Sequence, residues 1–230
     1  MLAACSIGRR CGGHGDARER RFRVAWGWIV LVYQIWYTAW YLMPYRFDWR
    51  DSLPLQLCDL AAFVAALAMI THWRVWRTLL YFWGIGLSTQ AFFTPTLQYG
   101  VGHIKFYMFW IGHTMIVGSA VYDIVVGRYR PTRRDWAEGV LITYTLCMSV
   151  FLFNVVMSDW LGYPLNYWYI GNTHPNAATI IDRVGPWPER VISVVVIVLT
   201  DFLLLWAVWP LAASIKRRIA PRPAPIAPHP

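Results

Sequence analysis

Uncharged apolar runs of about 20 residues alternate along the chain with short stretches that hold the charge. The runs fall at roughly 24–43, 53–71, 78–97, 105–126, 138–157 and 191–210. A helix needs about 20 mostly apolar residues to cross the hydrocarbon core of a bilayer. The runs are too long for strands and show no period of two. The pattern predicts an all-α, polytopic membrane helix bundle of about six transmembrane helices.

Composition narrows the picture. Of 230 residues, 57% are hydrophobic and 14% charged, with a mean hydropathy of +0.38. Soluble domains carry about a quarter charged residues. The deficit excludes a disordered chain and argues against a soluble single core. Many of the 15 Trp and 13 Tyr lie near the ends of apolar runs, where amphipathic rings settle at the membrane–water interface. The cysteines, Cys5, Cys11, Cys58 and Cys147, lack paired spacing, so no disulfide framework is implied.

The net charge of +9 takes its meaning from where it sits. A nucleic-acid binder would spread Lys and Arg over one folded face, and no nucleic-acid partner is expected here. Sixteen of the 21 Lys and Arg fall in the N-terminal tail, the second and fourth loops and the C-terminal tail. The other five are Arg46, Arg50, Lys105, Arg183 and Arg190. Positive charge favours the cytoplasmic side, so both termini are expected in the cytoplasm of a multi-pass protein of the cell membrane. The expected organisation is a basic tail over 1–23, a six-helix membrane domain over 24–210 and a Pro-rich tail over 211–230. The N-terminal stretch has no apolar core ahead of its charges and is not a signal peptide. Cys11 and His14 read as parts of a free tail, not as metal ligands. The one long loop, about 158–190, faces outward, and loops of that length are often functional.

Polar groups in hydrocarbon are costly unless partnered. Cys58 lies roughly 8 Å inside the outer end of the second run, and His113 roughly 12 Å inside that of the fourth, at 1.5 Å per residue. Gln90 lies about 10 Å below the outer end of the third run by the same rise. Asn154 is near the outward end of the fifth run, and Asp201 is near the midplane. Four polar side chains from four helices thus share the outer half of the bilayer. Gly86, Gln90 and Thr94 recur at i, i+4 and predict a small-and-polar stripe on the third helix, which a packing seam explains equally well.

Cys58 and His113 form a candidate nucleophile and base, since imidazole can take a thiol proton. Asp59 points about 100° away from Cys58 and is a poor orienter for His113. Gln90 or Asn154 would orient the ring or donate to an oxyanion. The plain alternatives are a Cys that fills space and a His that links helices. Asp201 is a candidate for a proton or cation path, or a protonated acid bonded to a neighbouring helix. No P-loop, GxSxG, HExxH or paired CxxC motif occurs, so no cofactor and no metal are expected.

From LPLQLCDLAAF onward the chain resembles the YwaF-like family of small bacterial integral membrane proteins. The resemblance continues through YFWGIGLSTQAFFTP, His113, Asn166-Tyr167, and Asp182 followed by GPWP. It covers roughly residues 50–190. The family is distantly similar to eukaryotic multispanning proteins proposed to be lipid acyltransferases with a membrane Cys and His as reactive pair. The resemblance implies those roles for Cys58 and His113, and marks Asn166, Tyr167 and Trp187 as a substrate loop. Family members carry a further first span, so a missing seventh helix is one expectation. WYIGNTHPN also stands where relatives have a shorter turn.

Three functions follow. The first is an enzyme acting on lipid acyl groups, with membrane lipids as partners. The second is a small transporter or channel using Asp201. The third is a non-catalytic scaffold whose outward loop binds a partner. The small size is compatible with a homodimer. A hydrogen bond between Cys58 and His113 is the geometry that favours the enzyme.

Overall fold

The computed structural model describes residues 17–97, 99–173 and 180–219. The expectations for Cys5, Cys11, His14, the Pro-rich end and loop positions 174–179 lie outside the described residues. The described chain forms an all-helical bundle without strands: α1 Ala17–Tyr41, α2 Leu57–Thr71, α3 Arg74–Leu79, α4 Ile104–Val125, α5 Arg133–Leu161 and α6 Arg190–Ile219. Three of these, over Ile104–Val125, Arg133–Leu161 and Arg190–Ile215, are long and apolar enough to cross a membrane, and α2 is a shorter apolar helix.

Small residues set the centre of the bundle. Ala61, Ala62, Ala65, Ala66 and Ala68 of α2 are buried, and α1 packs on them at Gly27. A Cβ at Gly27 would come within 2.7 Å of Ile70 and 2.9 Å of Met69. Close backbone approach of this kind is how helices associate where lipid removes the hydrophobic drive. Indole N–H groups cross between helices: Trp26 Nε1 donates to Ser119 Oγ (2.9 Å), Trp83 Nε1 to Thr143 Oγ1 (2.8 Å) and Trp209 Nε1 to Tyr81 Oη (2.9 Å). The outside of α5 and α6 is apolar, with Leu141, Leu152, Ile192, Leu204 and Leu211 all more than half exposed. Such a surface is a liability in water and suits hydrocarbon.

One end of the bundle is tied by charge. Arg74 makes a bidentate pair with Asp135 (2.7 and 2.6 Å), and Arg77 holds Asp123 (3.0 and 2.9 Å) and the Gly127 carbonyl (2.9 Å). Arg23 donates to the Met69 carbonyl, and Tyr122 Oη donates to Glu19 (3.2 Å). The Asp135 carboxylate holds the Arg74 guanidinium above its ordinary pKa. Asp135 also completes a capping box with Thr132 at the start of α5, and Gly162 ends that helix at φ 74, a left-handed conformation that glycine adopts freely. The first helix reaches further back than expected. Residues 17–23 belong to α1 because Glu19 and Arg23 bury their charges against α2 and α4, instead of trailing in a tail.

The second and third runs differ from expectation. Helix α2 starts at Leu57 and not at 53, because the peptide groups before it bond the loop after α5: the Leu53 N–H donates to Tyr167 Oη (3.3 Å) and the Leu55 carbonyl accepts from Trp168 Nε1 (2.7 Å). Beyond Leu79 the third helix widens into a π-helical segment, Leu80–Leu87, and ends at Ser88. A short 3-10 turn follows over Thr89–Phe92. Gly86, Gln90 and Thr94 therefore do not share one helical stripe. Glycines weaken a helix, Ser and Thr compete for its carbonyls, and Pro95 pushes Thr94 out of the helical region.

Candidate functional site

Helix and loop ends enclose a cavity of about 630 Å³. Cys58 in the first turn of α2, Gln90 in the turn after α3 and His113 midway along α4 all line it. Three of the four residues expected to cluster thus line one cavity. His113 is 8% exposed. Its Nδ1 lies 2.8 Å from the Phe109 carbonyl oxygen. A carbonyl only accepts, so Nδ1 carries the proton and Nε2 keeps its lone pair. That is the tautomer a general base needs. Cys58 is a free, partly exposed cysteine. It shares the cavity with His113 but, among the described residues, no hydrogen bond joins the two. No side chain caps the N-terminus of α2, and the first N–H groups of a helix have no partner within it.

Asp59, next to Cys58 in the first turn of α2, also lines the cavity. Gln34 Nε2 of α1 donates to Asp59 Oδ1 at 3.5 Å. Gln34 was legible as the one amide inside the first apolar run, though sequence reasoning passed over it. Lining groups that were not among the expected site residues are Tyr37, Ser88, Thr143 and Cys147. Each is a polar or soft atom in a run, and nothing in one run alone says which of them face a common space.

Asn154 is placed elsewhere. It is 1% exposed and absent from the cavity wall. Its amide holds the loop after α5: Nδ2 donates to the Tyr167 carbonyl (2.9 Å), and Oδ1 accepts the Tyr167 N–H (3.0 Å). Tyr167 Oη donates to the Trp49 carbonyl (2.8 Å). Asn166 lines the cavity, and its Oδ1 accepts the Gly171 N–H (3.0 Å). Arg190 donates to the Gly171 carbonyl, and Trp187 Nε1 donates to the Ile170 carbonyl (3.3 Å).

These contacts hold residues 162–173 as a strap over the N-terminus of α2. Trp168 and Tyr169 both sit at φ 58, which for bulky residues costs of order 1–3 kcal/mol each. The bonds they make offset this. Trp168 Nε1 donates to the Leu55 carbonyl (2.7 Å) and its N–H to Gln56 Oε1 (3.3 Å). The Tyr169 and Thr96 hydroxyls lie 2.9 Å apart, joining the strap to the segment after α3. Burial pushes the Tyr169 phenol up from its ordinary pKa, so it stays neutral. At the mouth, Lys105 reaches Asp51 Oδ2 (3.3 Å) and lies over the rings of Tyr41 (4.7 Å) and Tyr99 (5.0 Å).

Asp201 does not line the cavity. Its carboxyl lies against Gly86 in the π-helical segment, where a Cβ would collide with Oδ2. Among the described residues, Oδ2 is buried without a hydrogen-bond partner.

Comparison with known proteins bears on the whole chain. An uncharacterized protein of Treponema pallidum (strain Nichols) is 29% identical over 107 residues, which is 46% of this chain and 44% of that protein. The match thus spans less than half the length of that relative. No solved structure matches the chain. The TMEM164 family model matches residues 1–206. With nine-tenths of its length matched, and an all-helical bundle bearing membrane-length apolar helices, the chain belongs to the TMEM164 family of membrane proteins.

Proposed function

We propose that the chain, which we also read as YwaF-like, is a multi-pass protein of the cytoplasmic membrane that moves lipid acyl groups. Cys58 is the nucleophile and His113 the base, in the outer half of a six-span bundle with both termini cytoplasmic. The observation that carries this reading is that Cys58, Gln90 and His113, from three separate segments, line one cavity of about 630 Å³. The tautomer of His113 supports it. Catalytic contacts often tighten only when substrate binds, so the absence of a Cys58–His113 hydrogen bond is compatible with the pair.

The chemistry balances as follows. His113 Nε2 takes the Cys58 thiol proton, and Sγ attacks the carbonyl carbon of a lipid ester. The C–O bond breaks, and the departing alkoxide takes the proton back from the imidazolium. A thioester on Cys58 and a free alcohol result. An acceptor alcohol then gives its proton to Nε2 and attacks the thioester carbon. Cys58 leaves as the thiolate and recovers the proton. Water in place of the acceptor makes the reaction a hydrolysis. The Leu57 and Cys58 N–H groups in the first turn of α2 and the Gln90 amide are the donors that would stabilise the oxyanion. Asn154, Asn166, Tyr167 and Trp187 act indirectly, by holding the strap.

The test is genetic and chemical. Cys58→Ala and His113→Ala, made separately, are each expected to change the acyl composition of membrane lipids. Unchanged lipids in both variants at normal protein levels would reject the proposal.

A further inference from the structure

Hydroxyls in these helices bond back to the carbonyl four residues earlier: Thr71 to Leu67 (2.7 Å), Thr143 to Gly139 (2.7 Å), Ser149 to Thr145 (2.9 Å) and Thr200 to Val196 (2.8 Å). This is how lipid-embedded Ser and Thr usually satisfy themselves. Ser88 does not. It is 4% exposed, and among the described residues its Oγ is the one buried hydroxyl oxygen without a partner. The local backbone explains why. Ser88 ends the π-helical segment, and its own N–H bonds the Trp83 carbonyl five residues back (2.7 Å). The Gly84 carbonyl, which Ser88 would ordinarily use, is taken by Thr89 Oγ1 (3.1 Å). A buried hydroxyl left without a partner costs stability, and π-helical segments recur at functional sites.

Ser88 is in the wall of the same cavity as Cys58, Gln90 and His113. An acyl ester brings an acceptor oxygen and no donor, which is what an orphaned O–H lacks. We infer that the Ser88 hydroxyl donates a hydrogen bond to the carbonyl oxygen of the bound acyl ester and strengthens it as the oxyanion forms. This rests on the reading that Cys58 is acylated. Ser88 forms no bond to carbon and gives up no proton.

The experiment uses the full chain in vesicles of diacyl phosphatidylethanolamine and phosphatidylglycerol bearing a fluorescent acyl chain. It follows hydroxylamine-labile label on Cys58, the dependence of its rate on labelled lipid, and the melting temperature. Ser88→Ala is expected to slow thioester formation by roughly 10²–10³-fold, the usual loss for an oxyanion donor, with little change in KM. Its melting temperature is expected to hold or rise, because an unsatisfied buried group has gone. Ser88→Thr, which keeps the hydroxyl, is expected to retain most of the rate. Label appearing on Ser88→Ala at the wild-type rate would overturn the inference and leave the Cys58 reading intact. So would a loss of rate matched by a loss of melting temperature, or a threonine variant as slow as the alanine one. No label on the wild type, or label persisting in Cys58→Ala, would overturn both.

Discussion

Asn154 of α5 pairs with both backbone polar groups of Tyr167, donating to its carbonyl at 2.9 Å and accepting its N–H at 3.0 Å. An amide side chain thereby supplies backbone partners to the loop after α5. Asn154→Ala leaves the buried Tyr167 N–H unsatisfied, at about 1–3 kcal/mol, and its carbonyl, among the described residues, with only the Ile170 N–H at 3.4 Å. The expected result is a lower melting temperature in detergent. A melt indistinguishable from wild type would show that water reaches Tyr167.

The contact between Tyr169 and Thr96 closes the strap over the cavity. Tyr169→Phe and Thr96→Val each remove that hydroxyl pair while keeping the bulk. Both are expected to speed the reaction of Cys58 with a bulky maleimide. The control is Cys147→Ala, which leaves Cys58 as the free thiol described in the cavity. Equal labelling rates in all variants would mean that the strap does not gate access.

Gly86 gives Asp201 its place, since any Cβ there collides with the carboxyl. Gly86→Ala is expected to destabilise the contact between the π-helical segment and α6, and Asp201→Ala to relieve that strain. The double variant should therefore deviate from additivity, with a coupling of about 0.5–3 kcal/mol. Additive effects in a double-mutant cycle would contradict the packing.

Arg77 and Asp123 form a largely buried pair, with side-chain exposures of 14% and 3%. Arg77→Met leaves the buried Asp123 carboxylate, among the described residues, with only His72 Nε2, at 3.5 Å, and is expected to cost about 3–5 kcal/mol. Replacing both, as Arg77→Met with Asp123→Leu, should recover most of that. The comparison is of melting temperatures, and a double variant as unstable as the single would show that the pair itself supplies the stability.

The charge split makes a separate prediction about orientation. A cysteine introduced at Arg130 is expected to be shielded from a membrane-impermeant thiol reagent in intact cells. One introduced at Thr96 is expected to react. The reverse pattern would invert the bundle.

The bundle itself was legible in the sequence because hydrocarbon penalises every unpaired polar group, so long uncharged runs stand out one by one. The same penalty made Cys58, Gln90 and His113 conspicuous, and a constant helical rise placed them at similar depth. What lies around each helix was not legible. Asn154 has the right depth for the cavity, yet its amide is spent on the backbone of Tyr167, a partner thirteen residues away across a turn. The stripe of Gly86, Gln90 and Thr94 dissolved because Leu80–Leu87 is π-helical, a change of pitch that counting at 3.6 residues per turn does not anticipate. Ser88 became notable only when the Gly84 carbonyl proved to be occupied by Thr89. Depth along a helix follows from counting residues, but facing and partnership depend on segments far apart in the chain, and only the tertiary structure brings those together.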